Sequence, residues 1–187
     1  MRKMLQPLLV AAVLCGAAPS FGQTFANRYL GLGVSVVKLL GNSPSLDVFV
    51  PISIEGGWYL ENGFEFYARP QFFITRVLQG AQQSDGSVGA GIVVGGGGQV
   101  GVRYLFLEES IRPYIGLHAS LVVLATAPAA SFIPGPGVNV GVDFFVADSV
   151  SIGLRVPVDL YLQFNTNGQD VIATVGLGGT ANVLFYY

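Results

Sequence analysis

The chain has 187 residues, of which 51% are hydrophobic and only 11% charged, with a formal net charge of -2. So little charge is atypical of a soluble domain, and the slightly acidic balance argues against a nucleic-acid partner. Past the N-terminus, no segment holds the roughly 20 consecutive apolar residues that a membrane helix needs. Hydrophobic composition without a helical span is what a transmembrane β-barrel predicts, since lipid-facing and lumen-facing residues alternate; a soluble sandwich with buried strands is the alternative.

Residues 1–22 read as a secretory signal. Arg2 and Lys3 form its basic start, Leu8 to Leu14 its short apolar run, and Ser20 and Gly22 the small residues before a cut. The run is brief for the alternative, a membrane anchor. Cys15 is the only cysteine. The bulky Leu14 precedes it, against a lipoprotein signal, so Cys15 is expected to leave with the leader. The mature chain, 23–187, then has no disulfide and no cysteine chemistry.

Eight segments carry period-two alternation between turn residues: roughly 29–40, 47–60, 64–77, 88–106, 113–127, 138–146, 150–163 and 171–187. The seventh is the clearest, with Val150, Ile152, Leu154, Val156, Val158, Leu160 and Leu162 on one face. Connections alternate in character. Glu61-Asn62-Gly63, 107–112 and Ala147-Asp148-Ser149 are tight, whereas 41–46, 78–87, 128–137 and 164–170 are longer or richer in turn formers. Short periplasmic turns and longer external loops are the pattern of outer-membrane barrels.

Parity then sorts the side chains. Trp58, Phe64, Phe66, Tyr104, Phe106, Phe144, Phe185 and Tyr187 share the outward parity and lie near the turn end of their strands, a candidate aromatic girdle. Phe72 is the best candidate for an upper one. Inward parity gathers Glu55, Glu65, Arg69, Arg103, His118, Asp143, Arg155 and Asp159, with Gln71, Gln99, Asn139 and Asn182. If Leu60 and Phe64 flank their turn, Glu55 lies opposite Arg69. Asp143 is then a diagonal neighbour of Arg155. An eight-stranded barrel is about wide enough for its side chains to fill it, so this belt is expected to plug the lumen.

Other features carry less. His118-Ala119-Ser120 is similar to the His-x-Ser arrangement of outer-membrane lipid A deacylases. Both side chains point inward, however, and no Glu follows Glu109, so His118 reads as a lumen hydrogen-bonding residue. Gly95-Gly96-Gly97-Gly98 lacks the lysine and helix of a phosphate loop and reads as a strand thinned for bending or for bulky neighbours. Glu108-Glu109 reads as a solvated turn, not a metal site. Phe132-Ile133-Pro134 reads as a loop resting on the rim, with an external contact point as the alternative.

Together with the terminal Val183, Phe185, Tyr187 pattern, this architecture resembles the small eight-stranded outer-membrane barrels, the group that includes OmpX and the transmembrane domain of OmpA. The resemblance covers 23–187. It implies an antiparallel up-and-down barrel in the outer membrane of a Gram-negative-type bacterium, with lipid around it. It also implies a terminal strand that serves as a recognition signal for the barrel-assembly machinery. No peptidoglycan-binding domain is expected. The expected role is structural or interactive within the cell envelope, without enzymatic activity or cofactor. A narrow channel for ions or small solutes is the alternative, and a subunit of a larger envelope assembly, bound to a protein partner, is a third reading.

Overall fold

A computed structural model describes residues 28–40, 46–60, 62–82, 88–107, 110–124, 131–164 and 171–187. Residues 1–22, expected as a leader, with Cys15 among them, and the Glu108-Glu109 pair lie outside these. Eight antiparallel strands close into one barrel in sequence order: β1 (Arg28–Leu40), β2 (Leu46–Tyr59), β3 (Phe64–Gln82), β4 (Val88–Leu105), β5 (Ile111–Leu124), β6 (Ser131–Ala147), β7 (Val150–Phe164) and β8 (Val171–Tyr186). β8 pairs with β1 from Tyr29↔Tyr186 to Leu40↔Val175, and the Tyr187 amide bonds the Arg28 carbonyl at 3.0 Å. The apolar terminal strand is therefore a stave of a closed wall, which removes the edge it would otherwise expose.

The tight turns share one end with the termini. Gly63 adopts φ +78°, a left-handed conformation that a side chain resists, and Leu60 N–H reaches Phe64 O at 2.7 Å across that turn. The other strand ends, Leu40, Leu46, Gln82, Val88, Leu124, Ser131, Phe164 and Val171, lie at the opposite, loop end.

The largest departure from the sequence reading is in β6. The stretch 131–137 is not a loop but the start of β6, and Phe132-Ile133-Pro134 lies within the wall. Pro134 and Pro136 pair with Leu121 and Ala119 of β5, whereas pairing with β7 runs only from Gly137↔Asp159 onward. Proline has no N–H to give a ladder, and here it sits where only one side of the strand carries one. β3 also runs further than expected, to Gln82, and β5 spans Ile111–Leu124 instead of 113–127.

Glycines make room for inward rings. Tyr29 faces Gly57, Tyr67 faces Gly101, Phe73 faces Gly95 and Tyr114 faces Gly141 across the ladders. In each case a Cβ on the glycine would strike the opposite ring. The Gly95–Gly98 run has a second constraint at Gly97, where a Cβ would meet the Leu121 carbonyl of β5. These glycines let a narrow barrel hold large side chains.

The outer wall is apolar. Leu32, Ile52, Phe72, Ile74, Val100 and Leu117 are each at least 60% exposed. Burying such a band in lipid satisfies it, and the closed ladder leaves no backbone group for lipid to meet. Trp58, Phe64, Phe66, Tyr104, Phe106, Phe144, Phe185 and Tyr187 are all exposed, from Phe144 at 37% to Tyr187 at 70%, and Phe64, Tyr104 and Phe106 stack edge to face at 5.1 and 5.4 Å. Outward Arg28 and Lys38 sit near strand ends, where a long cation can reach the interface.

Candidate functional site

Because inward and outward residues alternate, polar chemistry on the strands concentrates inside the barrel. Glu55, Glu65, Arg69, Arg103, His118, Asp143, Arg155 and Asp159 are all buried in the lumen, none more than 6% exposed. Arg112 joins them. Among the described residues, four buried carboxylates thus face four buried guanidiniums. Balance matters here, since an unpaired charge out of water is costly.

Glu55 lies near the centre of the belt. Its carboxylate accepts two hydrogen bonds from Arg155 Nη2, at 2.8 and 2.9 Å. Arg69, in the ladder position opposite, is 3.8 Å away, and Arg103 3.7 Å. Arg69 instead donates to Ser53 Oγ at 2.8 Å and Ser35 Oγ at 2.7 Å. Asp143 is diagonal to Arg155 in the register, but its ion partner is Arg103, 3.5 Å away. Arg103 also donates through Nε to Glu65 at 2.5 Å.

Phenols complete the network. The Tyr29 hydroxyl lies between two carboxylates, 2.7 Å from Glu65 and 3.1 Å from Glu55. Arg103 stacks over Tyr114 at 4.6 Å and Arg155 over Tyr67 at 5.0 Å, while Arg155 Nε donates to Tyr114 OH at 3.1 Å. A desolvated cation over a ring face gains a further about 2 kcal/mol.

His118 sits above this cluster. Its Nε2 is 2.7 Å from Asp159 Oδ1, and Asn139 Nδ2 donates to its Nδ1 at 3.0 Å. Ser120 gives its hydroxyl to the Gly135 carbonyl at 2.9 Å. The histidine thus has a carboxylate, but the serine proton is directed to the backbone, not to a base. No group of three or more His, Cys, Asp or Glu side chains suited to a metal ion occurs among the described residues.

Parity assigned the charges to the lumen but missed Arg112, Tyr29, Tyr67 and Tyr114. In sequence the 107–112 stretch reads as a tight connection, whereas β5 begins at Ile111, which gives Arg112 the same inward parity as Tyr114 and His118. The three tyrosines were legible by the same count.

Solved structures of small outer-membrane barrels share this fold. Neisserial surface protein A is 16% identical, with 87% of this chain and 98% of that one covered and a TM-score of 0.61. OprG of Pseudomonas aeruginosa is 10% identical, with 87% and 98% covered and a TM-score of 0.54. Ail, the attachment invasion locus protein of Yersinia pestis, is 6% identical, with 88% and 100% covered and a TM-score of 0.50. No protein-family model and no curated protein sequence matches the chain.

Proposed function

We propose that this chain, which has the fold of the small eight-stranded outer-membrane β-barrels, is a sealed barrel of the outer membrane. In this reading it serves the envelope as a structural or interaction protein and has no enzymatic activity. The observation that carries the reading is the Glu55–Arg155 pair, which joins β2 to β7 through the middle of the lumen. A water-filled channel leaves its wall charges hydrated and apart, whereas here the charges are buried and Glu55 bonds Arg155 as Glu65 bonds Arg103. The turns then face the periplasm and the loops face outward. Ser120, which donates to the Gly135 carbonyl and not to His118, supports a reading without a serine–histidine pair.

In the same proposal, Val183, Phe185 and Tyr187 are presented to the assembly machinery while the strand is still unpaired. Afterwards they join the lipid-facing girdle. A protein partner in the envelope would meet the barrel at its loop end.

Planar-bilayer recording tests the sealed reading. Folded barrel, identified by a gel mobility that changes on heating, should insert without discrete current steps. Steady unitary currents from the unaltered protein favour the other reading, a narrow channel for ions or small solutes.

A further inference from the structure

Above the belt, toward the loop end, the lumen changes character. Val37, Leu39, Phe49, Phe73, Val122 and Ile133 point inward there, and none is more than 9% exposed. They come from β1, β2, β3, β5 and β6, so the tier spans much of the circumference. Phe49 packs on Phe73 at 5.0 Å and on Tyr161 of β7 at 6.4 Å. The space left between Leu39, Phe49, Val122, Ile133, Tyr161 and the polar Gln163 and Thr174 is about 20 Å³. That is room for about one water, too little for a ligand or a hydrated ion.

We propose that the lumen is closed twice, by an apolar stopper at the loop end and, beneath it, by the ion-paired belt. This rests on the sealed-barrel reading and sharpens it. The two tiers block passage by different physics. The belt fills the lumen with bonded side chains. The stopper repels water, because a constriction lined by apolar groups dewets and carries no ion. Either one suffices, so loss of the belt alone leaves the barrel shut. The arrangement also protects the belt, whose ion pairs depend on exclusion of water. From the loop end, water meets Val37, Val122 and Phe73 before it reaches Ser35, Ser120 and Gln71, the polar residues two positions below on the same strands.

The test is a two-by-two set of barrels in planar bilayers. Glu55→Ala with Arg155→Ala removes the central pair and keeps the lumen's charges balanced, with Arg69 still held by Ser35 and Ser53. Phe49→Ser with Ile133→Ser opens the stopper. The unaltered barrel and both two-residue variants should stay silent, and the four-residue variant should show discrete current steps. Current in either two-residue variant overturns the double closure while leaving the sealed reading of the unaltered protein intact. Silence in a folded four-residue variant also overturns it. Current through the unaltered barrel removes the sealed reading, and this inference with it.

A second measurement survives poor insertion. In a Cys15→Ser background, Ser120→Cys sits below the stopper. A charged thiol reagent added to folded protein in detergent should leave it unmodified, and should modify it once Phe49→Ser and Ile133→Ser are present. Equal labelling in the two backgrounds contradicts the stopper.

Discussion

Glu55 Oε1 and Arg155 Nη2 lie 2.8 Å apart across the lumen, although Arg69 occupies the ladder position beside Glu55 and stays 3.8 Å away. The longer-range pair is thus the tighter one. Glu55 already has two further arginines within 4 Å, so Arg155→Ala leaves it less exposed to isolation than Glu55→Ala leaves the cations. Breaking a buried pair from one side costs about 3–5 kcal/mol. Glu55→Ala should fall in that range in a urea titration of the folded barrel in phospholipid. A double-mutant cycle should give a larger coupling for Glu55 with Arg155 than with Arg69. The reverse order would place the pairing along the sheet instead of across the lumen.

Gly57 stands where the Tyr29 ring requires open space, and a Cβ there would overlap the ring. Gly57→Ala should therefore lose about 1–3 kcal/mol, the ordinary cost of overpacking. Gly179 provides the control, since a Cβ there meets nothing within 4 Å. Gly179→Ala should be neutral or stabilising by up to about 1 kcal/mol, because alanine restricts the unfolded chain. Equal losses at the two positions would mean that the glycines serve backbone bending and not the rings.

Depth along the outer wall sets the cost of a charge. Leu32, exposed near the middle of β1, should cost about 2–4 kcal/mol as Leu32→Arg, and Phe106, beyond the turn end of β4, about 0–1 kcal/mol as Phe106→Arg. Reversible unfolding in phospholipid vesicles measures both. A barrel resting in water would show neither penalty.

His118 has its proton placed by its neighbours. Asn139 donates to Nδ1, so the neutral ring carries its hydrogen on Nε2, directed at Asp159. Nitrogen-15 shifts of the ring should report the Nε2–H tautomer. Asn139→Ala should allow the other tautomer to appear. An Nδ1–H ring in the unaltered protein would mean that the Asn139 amide is turned the other way.

The fold was largely legible because a barrel wall writes its period into every strand. Counting from Tyr187 placed Val183 and Phe185 outside, and the tight turns at Gly63 and Ser149 anchored the register. The misread start of β6 has a specific cause. Pro134 and Pro136 look like loop residues unless the strand has a side without a ladder, and that depends on how far β7 pairs. Ladder neighbours such as Glu55 and Arg69 followed from the turn. The Glu55–Arg155 contact did not, because it depends on side chains long enough to cross a closed lumen. The apolar tier was hidden for another reason. Phe49, Phe73 and Ile133 share the inward parity of the charges, but in a lipid-bound protein apolar residues are readily assigned to lipid.

Trp58 is the only tryptophan in the chain, 53% exposed on the outer wall near the turn end, so its fluorescence reports how the whole barrel sits. The measurement is quenching of Trp58 by lipids brominated at graded acyl depths, compared with aqueous iodide. The account predicts strong quenching by bromines near the headgroup, weaker quenching from the bilayer centre and little from iodide. Full quenching by iodide with none from any brominated lipid would contradict a wall that faces lipid.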